Sequence, residues 1–204
     1  MNYFLHVLYG VFIAYFSLLV PGMLNMTALK VRLEIGKVQA IKFAFGATCI
    51  IFIQAGIALF FADYLVDNPK VIDFLRIAAV FVFFILAIFF FIISFKKANP
   101  EAQVTKGKYF LRGAFMSALN MLSIPFYLAF SIFLAEKKLI TIEQPYIILY
   151  ISGVFIGAML LFSTYINFAK IIANKVSFIA KNINLILSGI FVVLGLVTFI
   201  KLIQ

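Results

Sequence analysis

The residues with chemistry to offer are few, and they are set into long apolar stretches. Pro21 and Gly22 are followed by Asn25 and Thr27, Asn120 and Ser123 precede Pro125, and Gln54 stands mid-way along a third stretch. A proline in a helix interior lacks its N–H and collides with the carbonyl four residues back, at a cost of about 3 kcal/mol. In lipid the freed carbonyl must find a partner in protein or trapped water. A helix breaker beside amide and hydroxyl groups therefore makes a place where a small polar solute can be held. The positive end of a half-helix beginning after Pro21-Gly22 suits a carboxylate, with Asn25 and Asn120 as orienting hydrogen-bonding groups. Gln54 fits a ligand or, more commonly, a neighbouring helix. A plain proline kink with a tight helix–helix seam is the bland alternative at both prolines. Small and polar residues share one face, Gly10, Ala14, Ser17 and Pro21 in one stretch and Gly113, Ser117 and Asn120 in the other. Such a stripe is where another helix or a solute comes close.

The elements that carry these residues follow from composition. Hydrophobic residues make up 66% of the chain and charged ones 12%, against about a quarter charged in a soluble domain. Cutting the chain at every charge leaves six long uncharged stretches: Met1 to Leu29, Phe43 to Ala62, Ile77 to Phe95, Gly113 to Ala135, Gln144 to Ala169 and Asn182 to Ile200. About 20 helical residues cross a hydrocarbon core of about 30 Å, so each stretch spans once. Val80 to Ile93 lacks the alternation of barrel strands. The expected fold is an all-α integral membrane domain over 1–204, with spans at about 3–29, 43–62, 72–95, 110–135, 145–169 and 181–200. The first span has no basic region before Lys30, unlike a leader peptide.

Charge sets the expected orientation. Of the 17 basic residues, twelve fall in the odd-numbered connections: Lys30, Arg32, Lys37 and Lys42; Lys96, Lys97, Lys106, Lys108 and Arg112; Lys170, Lys175 and Lys181. Basic residues in short loops stay cytoplasmic, so both termini are expected outside. The net charge of +10 is then a topology signal, and no nucleic-acid role is expected because the aromatics lie within the spans. His6, the one histidine, sits near the outer end of the first span and reads as interfacial. Asn167 reads as lining the inner mouth or capping a helix. Cys49 is the one cysteine, and no span holds an Asp or Glu between its ends. That leaves no reactive dithiol, no catalytic pair and no metal or other cofactor site. It also disfavours export of metal cations, which want carboxylates, imidazoles or thiolates.

The polar connection Lys96 to Arg112 divides the chain into two three-span halves, 1–98 and 99–204. Three spans per half put the second half upside down, the inverted-repeat plan of many secondary transporters. Gly10 to Pro21 in span 1 parallels Gly113 to Pro125 in span 4. Gly153 and Gly157 form a G-x-x-x-G face in span 5, which fits packing within one chain better than a homodimer seam.

The run LLVPGMLNMTALKVRLEIGKVQAIKFAFGA, Leu18 to Ala47, resembles the LysE-type amino-acid exporters. That family carries Pro-Gly-Pro near the end of its first span, a basic loop with spaced glycines, and a second half opening on a glycine and an Asn-Pro pair. Pro21, Gly22, Gly36, Lys37, Gly46, Gly113 and Asn120 match, whereas Met23, Ala40 and Met121 depart from the pattern. The resemblance implies a translocator in a bacterial inner or plasma membrane. It would export amino acids or similar small zwitterions by alternating access around a site between spans 1 and 4. A non-transporting membrane scaffold, pairing through its small-residue stripes, is the rival.

Overall fold

The computed structural model describes residues 3–19, 22–67, 107–120 and 122–203, with single positions between 77 and 95. Pro21 and most of the expected third span lie outside them. Every regular element among the described residues is a helix: α1 (Tyr3–Ser17), α2 (Met23–Glu34), α3 (Lys37–Asp67), α4 (Tyr109–Ala118), α5 (Ser123–Glu136), α6 (Tyr146–Asn167) and α7 (Ala169–Ile203). By length and composition, α3 over Lys37–Leu65 and α6 can each cross a membrane. The α4–α5 pair, bent by 64° between its halves, is a broken span or a re-entrant loop by the same measure.

The helices run past the boundaries that charge alone predicts. The first basic connection shrinks to Ile35 and Gly36, because α2 continues to Glu34 and α3 starts at Lys37. Gly36 turns the chain there with φ of 131°, a left-handed value that a Cβ opposes. The third basic connection is not a loop at all. Phe168 alone separates α6 from α7, which carries Lys170, Lys175 and Lys181 on continuous helix. Lysine is a good helix former, so a run of lysines marks where a chain leaves hydrocarbon, not where its helix stops.

The chain forms two compact units, Met1–Val66 with Val104–Lys175, and Asp67–Gln103 with Val176–Gln204. In the second, the Ser188 hydroxyl donates to the Ala87 carbonyl over 2.9 Å, and the Phe84 ring packs against Gly195. The first unit contains the candidate site and is built on two glycine seams. Along α3 the small residues Ala40, Ala44, Ala47, Ala55, Ala58 and Ala62 are buried, while Ile53, Phe60 and Phe61 point outward, Phe60 being 72% exposed. Phe43, Ile51 and Leu59 are buried with the alanines, and the outward-facing apolar groups are what a helix solvated by lipid presents.

The seams bring main chains into direct contact. A Cβ on Gly10 of α1 would strike the Tyr150 carbonyl oxygen of α6, and one on Gly153 or Gly157 would strike that of Val7 or Val11. The G-x-x-x-G face thus packs within the chain, against α1. The second seam joins α3 to α4: a Cβ on Gly113 would strike the Phe43 carbonyl oxygen, and one on Gly46 that of Phe110. A shift of 103 residues turns Val7 and Gly10 into Phe110 and Gly113. A shift of 107 the other way turns Tyr150 and Gly153 into Phe43 and Gly46. Each short helix therefore leans on a long helix from the other half of the sequence, in the same register.

Candidate solute site

Both of the interrupted helices stop where the sequence pairs breakers with polar groups. The helix α1 ends at Ser17 and α2 begins at Met23, with Gly22 in an extended conformation as its N-cap and no side chain bonding to that end. In the second half, α4 ends at Ala118 and α5 begins at Ser123. Pro125 falls in the first turn of α5, where a helix has no use for the missing N–H. It therefore opens the second half-helix and does not kink a continuous one.

Broken helices leave carbonyls without helical N–H partners, and side chains serve them. At the first break the Asn25 side-chain amide donates to the Leu18 carbonyl. The Tyr165 hydroxyl donates to the Leu19 carbonyl over 2.9 Å. At the second break the Gln54 side-chain N–H₂ reaches the carbonyls of Ser117 and Asn120, at 3.0 and 3.3 Å. The Asn120 amide donates to the Ser123 hydroxyl over 3.1 Å. Gln54 thus serves a neighbouring helix through its nitrogen while its Oε1 is buried without a protein partner.

Ser17 and Tyr127 link the two breaks. Ser17 closes α1 and Tyr127 belongs to α5, and the two side chains lie close together, while the Ser17 hydroxyl donates to the Ala14 carbonyl over 2.9 Å. Tyr127 and Tyr150 of α6 belong to the same buried cluster. Both tyrosines are buried, and the Tyr150 hydroxyl has no hydrogen-bond partner within the protein. The Ser117 hydroxyl, on α4 at the second break, is likewise buried and unpartnered. Buried polar atoms almost always find a partner, so each exception calls for an explanation.

The expected site residues divide accordingly. Gly22 and Asn25 meet at the first break, and Gln54, Asn120 and Ser123 at the second. Thr27 is set apart, since its hydroxyl bonds the Met23 carbonyl one turn back, 2.7 Å away. Pro125 is exposed beside Ser123, and Pro21 is outside the described residues. Sequence reasoning passed over Tyr127, Tyr150 and Tyr165, because a tyrosine in a Phe- and Leu-rich span reads as core. Their spacing carries no signal for it, since the partners come from other helices.

His6 is not interfacial. It is fully buried on α1, its Nε2 accepts the Thr141 backbone N–H over 2.9 Å, and its ring lies 4.5 Å from that of Tyr146. It fastens α1 to the segment between α5 and α6. Among the described residues, no three His, Cys, Asp or Glu side chains gather in one place. Amides, hydroxyls and main-chain carbonyls make up the candidate site, and these can orient a small polar solute by hydrogen bonds without binding it as a charged partner would.

Neither a curated protein nor a solved structure matches the chain significantly. A protein-family model, described as LysE type translocator, matches residues 15–202. That is nearly the whole chain, and it contains both breaks, α3 and α6, and Tyr127, Tyr150 and Tyr165. Family members are transporters, not enzymes, which removes the scaffold reading and agrees with the absence of catalytic pairs in the sequence. The chain is a membrane translocator and belongs to the LysE type translocator family.

Proposed function

We propose that the protein exports amino acids or similar small zwitterions across a cell membrane, by alternating access around the polar centre between the two breaks. The observation that carries this reading is the pair of interrupted helices, with unpartnered polar atoms of Gln54, Ser117 and Tyr150 buried in the same helix assembly. A zwitterion needs donors for a carboxylate and acceptors for an ammonium. Asn25, Asn120 and the tyrosine hydroxyls supply donors, and Gln54 Oε1 and main-chain carbonyls supply acceptors.

Six spans in two inverted repeats are part of the proposal, with both termini outside, and the seam registers support it. The 103-residue shift that superposes the two seams also places Ser17 opposite Asn120 and Gly22 opposite Pro125, so the polar and helix-breaking positions correspond as the glycines do. Paired interruptions in corresponding spans are where transporters of this plan bind their solutes. Rocking one half against the other would open the centre alternately to the two sides.

Cells expressing the protein should resist a toxic amino-acid analogue or a fed dipeptide, and should lower their internal amino-acid pool relative to deletion cells. Asn25→Ala and Asn120→Ala should abolish this efflux while the protein remains inserted. Normal efflux in both variants would remove the site assignment. An unchanged amino-acid pool on overexpression would remove the substrate class.

A further inference from the structure

Away from the centre, a cavity of about 340 Å³ opens where the end of α2 meets the junction of α6 and α7, lined by Arg32, Leu33, Asn167, Phe168, Lys170 and Ile171 among others. We propose that this cavity binds the headgroup of an anionic phospholipid. The inference requires a membrane protein, which the family match supplies, and is independent of what the protein exports.

Charge is the first argument. Two cationic side chains from different elements line the cavity, and among the described residues no acidic one does. The Nε of Arg32 is buried without a hydrogen-bond partner, although a desolvated guanidinium N–H normally has one. The nearest acid on its helix, Glu34, is paired with Lys30 at 3.7 Å. Lys170, in the first turn of α7, adds a second cation to the same recess. A phosphate would satisfy the guanidinium and the ammonium together.

Apolar exposure selects a lipid over a free anion. Leu33, Phe168 and Ile171 line the same cavity and are 44%, 54% and 56% exposed. A basic recess edged with apolar side chains matches a molecule whose phosphate is joined to acyl chains. Basic recesses between spanning helices are where anionic headgroups bind.

The test is native mass spectrometry of the full chain in neutral detergent, titrated with phosphatidylglycerol or phosphatidylcholine, with inorganic phosphate as competitor. Phosphatidylglycerol should bind in preference to phosphatidylcholine, and phosphate at equal concentration should not displace it. Arg32→Gln and Lys170→Gln should each weaken phosphatidylglycerol binding about fivefold, while Lys37→Gln, an exposed lysine outside the cavity, should leave it unchanged. Lys170 is itself exposed, so its replacement does not threaten folding, and Lys170→Arg should retain binding. Full-strength binding by both glutamine variants would overturn the proposal. So would an equal loss in Lys37→Gln, which would mean unspecific charge attraction, or displacement by phosphate, which would mean a free-anion site.

Discussion

The two broken helices are seated alike and repaired differently. Each leans through glycine on a long helix from the other half, α1 on α6 and α4 on α3. At the first break the carbonyls of Leu18 and Leu19, past the end of α1, depend on the side chains of Asn25 and Tyr165. At the second the chain keeps turning: the Asn120 N–H bonds the Ser117 carbonyl and the Ser123 N–H bonds that of Asn120, at 3.0 and 3.3 Å. Gln54 only adds to carbonyls that already have a main-chain partner. Seating is fixed by backbone shape and tolerates one solution, whereas repair can come from whichever side chain reaches. The first break therefore needs its polar groups for stability, and the second leaves Gln54 more free to serve a solute.

Seam substitutions should have the largest effects, and equal ones if the two seams are equivalent. Gly10→Val and Gly113→Val force a side chain into a facing carbonyl, and the main chain of a packed helix cannot move aside cheaply. Each should cost about 3 kcal/mol or more, seen as lost thermal stability in detergent or failure to accumulate in the membrane. A large loss for one and none for the other would break the equivalence. Next comes Tyr165→Phe, which takes the hydroxyl from the Leu19 carbonyl. It should cost about 1–1.5 kcal/mol, the usual net worth of one hydrogen bond. Gln54→Leu should cost less, about 1 kcal/mol or under, since both carbonyls keep an N–H and the buried Oε1 disappears with the side chain. Its transport should nevertheless fall as far as that of Asn120→Ala. If Gln54→Leu destabilises more than Tyr165→Phe, the contrast between the breaks is wrong.

How much of this could be read from sequence depends on which force fixed each feature. The membrane setting was legible from uncharged length, and α3 and α6 lie where their stretches predicted. The match of Gly10 with Gly113 was legible too, because close helix approach admits few residue types. Helix ends were not, as Lys37 and Lys170 show: both lie in expected loops, yet Lys37 begins a helix and Lys170 lies in the first turn of one, because charge reports the edge of hydrocarbon and helix propensity ignores it. Pro125 pointed to the right break, while the interruption itself falls just before it, at 119–122. The tyrosines were illegible. Whether a hydroxyl in a span is a satisfied core group or an orphan depends on residues more than a hundred positions away, such as Leu19 for Tyr165.

The smallest expected change in stability belongs to the residue that best separates function from structure. Tyr150 is buried against α1 and α5, and its hydroxyl bonds to nothing in the protein. Removing an unpartnered buried hydroxyl takes away a desolvation penalty and no hydrogen bond, so Tyr150→Phe should unfold at the same temperature as the parent or slightly above it. If that hydroxyl serves the solute, the same variant should transport about tenfold less well at low substrate, the effect of losing roughly 1.4 kcal/mol of binding to a charged partner. Tyr127→Phe is the control, because it loses the contact with Ser17 that joins the two breaks; both its stability and its transport should drop. Stability and transport falling together in Tyr150→Phe would mark the hydroxyl as a structural group with a partner supplied by water. Transport falling alone would place the solute beside it.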